Sequence, residues 1–328
     1  MESMSLREKN GQVRRVIVFT ALIVFLSMVA SEAQRENRRH RRGQGDEEEV
    51  RTYGDTVYAT ADDGAPLTWK VFPAEGPGPH PAVLVIHGGH FCSTPGSPNM
   101  MRAARDAAAA GFNAFLTDYR LAPPGRIPGQ KSSGRYPDQT NDLKKAVQAA
   151  RAYPGGNGKV GAIGGSGGAS HVVYLAATGT KGDDRLDAGV GLSGAYDFVD
   201  LESQPRQIVR RKIENYVGSD SAEAARKAAP ITYVDATVSP LYLVASDNES
   251  MPPDQLPALV RKLNQVGATN FKQVLRTNSQ RHAFSNWPEV KEQALDFLKQ
   301  ALGAPGGGAT SSSPVASPAS SAAAVSDR

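Results

Sequence analysis

The chain has 328 residues, 40% of them apolar and 21% charged, with a formal net charge of +4. That balance supports a sizeable buried core, and so small a charge gives no reason to expect nucleic acid or another polyanion as partner. Cys92 is the only cysteine, which excludes an intramolecular disulfide framework.

Arg7, Lys9, Arg14 and Arg15 precede an apolar run, Val16 to Ala30, in which only Thr20 and Ser27 are polar. Ser31-Glu32-Ala33 then places small residues as a signal-peptide cut before Gln34 requires. Residues 1–33 are read as a secretory signal, so the protein is expected to be secreted or periplasmic. The run is shorter than the roughly 20 residues that span a bilayer, which makes an uncleaved anchor the second choice. Residues 34–50, "QRENRRHRRGQGDEEEV", carry five arginines against five acids and read as a charged, disordered linker. From 303 to 328 the chain is Gly, Ala, Ser and Pro with almost no large apolar side chain, a disordered tail by composition. One domain, 51–302, remains.

Within it, β-rich apolar runs fall at Thr56–Tyr58, Leu67–Phe72, Pro81–His87, Phe112–Asp118, Lys159–Gly164, Ala188–Ser193, Pro240–Ser246 and Phe271–Arg276. Helical patterns lie between the later ones, at Met100–Ala110, Asp138–Ala152, Ala258–Val266 and Val290–Leu302, with Gly111, Gly267 and Gly303 as stops. Runs such as "AVLVIH" and "LYLVAS" are apolar on both faces, as strands covered by helices on both sides must be. The alternation predicts an α/β fold with a mostly parallel, doubly wound sheet of about eight strands. The first two runs, before any helix, would form an antiparallel lead-in. In such a sheet the chemistry sits at the carboxyl ends of the strands.

Four glycines surround one hydroxyl there: Gly164, Gly165, Gly167 and Gly168 around Ser166. Gly164-x-Ser166-x-Gly168, after a strand and before a helix, has the form of a nucleophile elbow. The tight turn exposes the hydroxyl, and its glycines let strand and helix approach. Gly165 occupies a position the motif leaves free. His87-Gly88-Gly89 closes an earlier strand, and the N–H groups of Gly88 and Gly89, with that of Gly167, form a candidate oxyanion hole. His87, His90 and Cys92 do not have the spacing of a metal site, and neither metal nor cofactor is expected.

A serine needs a base. Of six histidines, His282 alone lies in a polar loop between the last strand and the last helix. Asp247, directly after an apolar strand, is the candidate acid, with Glu249 and Asp254 as fallbacks. The chain order Ser166, Asp247, His282 suits this fold. Asp118, Tyr119 and Arg120 read as a buried structural cluster. "QIVRRKIENYV", within Pro205–Pro230, reads as a helix that either covers the site or packs at the sheet edge.

The pieces "HGG" (87–89), "DYRLAP" (118–123), "YPDQTNDLKKAVQ" (136–148), "GGSGG" (164–168), "LSGAYD" (192–197) and "HAF" (282–284) together resemble the α/β-hydrolases. The likeness is to the hormone-sensitive-lipase-like esterases, and within them to BD-FAE-like carboxylesterases. It implies hydrolysis of small or carbohydrate-linked carboxylic esters through an acyl-enzyme, with little or no cap domain. It assigns Ser166 as nucleophile, His282 as base, Asp247 as acid, and Gly88, Gly89 and Gly167 as oxyanion donors. Three departures stand out: His90 replaces a third small residue, Gly167 replaces an alanine, and no "G-x-x-D" phrase precedes the acid. An amide-type hydrolase (an arylformamidase or an exopeptidase) and an inactive binding protein on the same fold are the alternatives.

Overall fold

The structure, a computed structural model, describes residues 53–199 and 207–304. The expected signal segment, the charged linker and the tail beyond Ala304 lie outside the described residues. Eight strands are present: β1 (Thr56–Thr60), β2 (Pro66–Phe72), β3 (His80–Ile86), β4 (Asn113–Thr117), β5 (Gly156–Gly165), β6 (Ala188–Leu192), β7 (Leu241–Ser246) and β8 (Phe271–Arg276). They form one sheet in the order β1-β2-β4-β3-β5-β6-β7-β8. β2 is antiparallel to both β1 and β4, and the other pairings are parallel. This is the α/β-hydrolase fold.

Helices cover both faces. On one, α1 (Pro98–Ala109) and α7 (Trp287–Leu302) share a core with β3 to β7, where the alanine face of α1 lets the buried Trp287 and Val290 sit close. On the other lie α2 (Asp138–Arg151), α3 (Gly167–Ala177) and α6 (Gln255–Gln265). The ends obey local chemistry. Ser97 caps α1 by accepting from Met100 N, Pro98 opens its first turn, and Gly303 ends α7 at φ 69°. Two further helices, α4 (Gln207–Val217) and α5 (Ala222–Ala228), lie between β6 and β7.

From β3 the chain crosses to β4 on one side, then returns to β5 on the other. The loops after β3 and β5 therefore diverge, leaving a crevice at this reversal of strand order. The cluster after β4 locks the floor beneath it. Arg120 is buried and binds Asp142 through Nε and Nη2 at 2.9 and 2.7 Å, which ties the β4 exit to α2. The Tyr119 hydroxyl donates to His87 O at 2.9 Å and so fixes the end of β3.

Candidate active site

Ser166 sits between β5 and α3 at φ 55° and ψ −123°. A non-glycine residue in that region carries about 1–3 kcal/mol of strain and persists only where its surroundings impose it. Here they do: Ser166 N donates to Leu192 O at 2.9 Å, and the glycines on either side admit close contacts. A Cβ on Gly164 would lie 2.3 Å from Gly168 O, and one on Gly168 would lie 2.2 Å from Ile86 O. Gly165 has its own reason to be glycine. A Cβ there would meet the Phe284 ring at 2.7 Å and Ala283 at 3.0 Å, so its missing side chain seats the segment that follows His282.

The loop after β3 lies against this elbow. A Cβ on Gly88 would fall 2.6 Å from Gly165 O, and Gly89 has φ 95°. His90 and Phe91 continue the left-handed turn at φ 55° and 63°, closed by Cys92 N donating to Gly89 O at 3.0 Å. Several contacts hold that strain. Phe91 O accepts from Gln139 Nε2 at 2.7 Å and from Ala122 N at 2.9 Å, and the Phe91 ring stacks on Tyr216 at 4.1 Å. Gln139 is itself fixed by the buried His171, whose Nε2 lies 3.1 Å from Gln139 Oε1. The amides of Gly88 and Gly89 lie beyond the end of β3, and Gly167, as the first residue of α3, has no intrahelical acceptor for its own N–H. His87 turns away from the crevice. Its ring stacks on Tyr119 at 4.3 Å, and burial pulls its pKa down to about 4.

His282 lies in the loop before α7 and lines the same cavity as Ser166. Its acid partner differs from the expected one. Asp247 does not reach it: that carboxylate is exposed and accepts from Asn278 N at 2.8 Å and Ser279 N at 3.0 Å. These two backbone bonds hold the Asp247 carboxyl below its ordinary pKa. Glu249 takes the position instead, with Oε2 2.5 Å from His282 Nδ1 and Oε1 accepting from Ser246 N at 2.8 Å. Its side chain is 1% exposed. The reason is the register. Ser246 still pairs with Arg276 and Asp247 N still donates to Arg276 O, so Asp247 extends the ladder and clamps the start of the next loop. The turn at 247–248 then folds Glu249 back under the strand end. Asp254, the other fallback, pairs with Arg261 at 3.0 Å at the surface. A carboxylate on Nδ1 places that proton there and leaves Nε2 as the acceptor.

The cavity is about 510 Å³, with His90, Phe91, Ser166, Gly167, Met251 and His282 in its lining. Helix α4 forms its far wall, so "QIVRRKIENYV" covers the strand ends. Tyr136 N donates to Tyr216 O at 2.9 Å, and Asn215 Nδ2 donates to Pro123 O at 2.7 Å, which docks the carboxyl half of α4. Among the described residues, no cluster of three or more His, Cys, Asp or Glu has the arrangement of a metal site, and no helix is long and apolar enough to cross a membrane.

Residues 71–263, well over half of the chain, match the BD-FAE family model. The chain belongs to the BD-FAE family. It is similar to esterase LipC of Mycobacterium tuberculosis, at 24% identity over 212 residues, 57% of this chain and 49% of LipC. The chain thus spans about half the length of that relative. Among solved structures it is similar to the esterase Est2 of Thermogutta terrifontis, with a TM-score of 0.61 at 16% identity over 79% of this chain and 98% of Est2. It is also similar to an acetyl ester-xyloside bifunctional hydrolase of Caldicellulosiruptor lactoaceticus. There the TM-score is 0.58 at 13% identity over 72% of this chain and 88% of that one.

Proposed function

We propose that this chain is a serine hydrolase that cleaves carboxylic esters of small or carbohydrate-linked acyl groups. The observation that carries the reading is a strained Ser166 and His282 lining one cavity, with His282 Nδ1 held by the buried Glu249 carboxylate. Names of relatives lend support: LipC is an esterase, and the Caldicellulosiruptor protein is an acetyl ester-xyloside hydrolase.

In this mechanism His282 Nε2 takes the Ser166 proton as Oγ attacks the ester carbonyl carbon. The carbonyl π pair moves onto oxygen, where the amides of Gly88, Gly89 and Gly167 stabilise it, each donor contributing about 3–4 kcal/mol in a preorganised site. Glu249 stabilises the imidazolium formed in that step. Collapse expels the alcohol, which receives the proton from His282. Water then repeats the sequence on the acyl-enzyme, releasing the acid and restoring Ser166.

Ser166→Ala tests this with 4-nitrophenyl acetate. Turnover is expected to fall at least a thousandfold while the far-ultraviolet circular dichroism and the melting temperature stay close to wild type. A folded Ser166→Ala protein with normal rates would overturn the proposal. A substrate panel that includes formanilides and peptide amides separates ester from amide cleavage, with esters expected to be the better substrates. Export is proposed on the strength of residues 1–33 and is checked by finding mature chain that begins at Gln34 outside the cytoplasm.

A further inference from the structure

The cavity wall opposite the reactive groups carries a charge that ester hydrolysis does not require. Arg211 and Lys212 of α4 both line the cavity, and no Asp or Glu is among its described lining residues. The other charges of α4 are sorted away from it. Arg210 pairs with Glu214 at 2.8 Å, and both line a separate depression together with Asp220. Arg211 Nη2 donates to the neutral Gln207 Oε1 at 3.4 Å, and among the described residues no carboxylate pairs with Arg211 or Lys212. Lys212 and His90 line the same cavity, and the Lys212 charge acts on both His90 and Cys92. Burial, then Lys212 and His282, hold the His90 imidazole below its ordinary pKa, so it adds a neutral donor or acceptor there rather than a third cation. Phe91, Ile213 and Met251 give the same cavity an apolar bed.

Two adjacent cations on the wall of a cavity with an apolar bed, with no carboxylate among its described lining residues, offer an incoming anion attraction without a competing acid. We infer that the α4 wall is a subsite for a carboxylate, so that the preferred substrates are esters bearing a free acid group within reach of Arg211 and Lys212. This rests on the ester-hydrolase reading above and narrows its substrate class. The acid group can sit on the acyl part, as in the half-ester of a dicarboxylic acid, or on the alcohol part, as in an ester of a hydroxy acid or uronic acid.

The test compares each acid with its own methyl ester. Mono(4-nitrophenyl) succinate against methyl 4-nitrophenyl succinate probes the acyl side, and 4-acetoxybenzoate against methyl 4-acetoxybenzoate probes the alcohol side. The readout is the ratio of kcat/KM, acid over methyl ester. Comparing that ratio between variants cancels the differing intrinsic reactivity of the two esters. In at least one pair the ratio is expected to fall five-fold or more in Lys212→Gln and in Arg211→Gln, mainly through KM. It is expected to survive in Lys212→Arg. In the wild-type protein it should decline as sodium chloride is raised from 20 to 500 mM, a readout that needs no variant. Ratios that stay within two-fold across all variants and salt concentrations, in both pairs, overturn the carboxylate subsite and leave ester hydrolysis standing. Full turnover by Ser166→Ala instead overturns the ester-hydrolase reading on which the subsite rests.

Discussion

Replacing Glu249 by Gln isolates the one contact that distinguishes this site from the one its sequence order suggests. Glu249 uses both oxygens, Oε2 for His282 Nδ1 at 2.5 Å and Oε1 for Ser246 N at 2.8 Å. Glutamine has a single carbonyl oxygen, so one of those two donors must face an NH2 group. If the oxygen stays with Ser246 N, the amide donates to Nδ1 and forces the imidazole proton onto Nε2, where it blocks proton transfer from Ser166. If the oxygen turns to His282, the tautomer survives, but the negative charge that stabilises the imidazolium is gone and Ser246 N is left unpaired at a cost of about 1–3 kcal/mol. Loss of the tautomer-fixing carboxylate in a serine triad lowers kcat by about ten-thousand-fold, equivalent to about 5 kcal/mol at 1.36 kcal/mol per tenfold. Glu249→Gln is therefore expected to lose a thousand- to ten-thousand-fold in kcat on 4-nitrophenyl acetate. Asp247→Asn keeps one oxygen for the amides of Asn278 and Ser279 and is expected to lose tenfold or less. The paired measurement uses initial rates at pH 8 on protein shown to be folded by its melting curve. A Glu249→Gln protein within tenfold of wild type, or a folded Asp247→Asn protein a thousandfold slower, would refute the assignment.

Gly165→Ala is expected to cost about 1–3 kcal/mol through overpacking against Phe284 and to lower kcat, because Phe284 follows His282 by two residues. Adding Phe284→Leu should recover part of both losses, measured by urea melts and rates, and failure of the second change to recover either would show that the contact does not matter. Acid should destabilise the fold through two buried histidines, His87 and His171, whose pKa values burial pulls down to about 4 and about 3. Unfolding exposes them to their ordinary value near 6.5, so the unfolded chain binds more protons and stability falls as pH drops through the window from about 6.5 to 4. For His171 the loss is roughly 3 kcal/mol at pH 4. Asp118 opposes this, since burial raises its carboxyl to about 6 and the folded chain then binds the extra proton between about pH 4 and 6. Asp118→Asn should accordingly steepen the acid loss in that window, and a shallower loss in urea melts at pH 7, 6, 5 and 4.5 would contradict the sign.

The fold was legible because its local and global demands agree. β3 and β7 read as strands from apolar runs that helices on both faces of the sheet then bury, and Gly111, Gly267 and Gly303 mark turns that do occur, at φ 94°, 72° and 69°. The strained turn at Ser166 was legible for the same reason, since a glycine-flanked serine between a strand and a helix leaves its backbone few alternatives. The partner acid was not legible. Choosing it requires knowing that the β7–β8 ladder runs one residue past Ser246, and periodicity cannot fix a strand end that closely. A hint was available in "SDNES", where a turn-forming Asp-Asn pair precedes a Glu long enough to reach back to the strand end. Whether "QIVRRKIENYV" covers the site was also open from sequence, because an amphipathic helix fits a sheet edge as well as a cavity wall. The contacts of Tyr216 and Asn215 decide it. Gly165 gained its reason only from Phe284, a residue far along the chain and invisible to any local pattern.

The central claim is that Ser166 is the nucleophile, and covalent labelling reads it most directly. A fluorophosphonate should add one phosphonyl group per chain, and peptide mapping by mass spectrometry should place it on Ser166, with no label on folded Ser166→Ala protein. A label on another residue, or an unlabelled wild-type protein that still turns over 4-nitrophenyl acetate, would contradict the account.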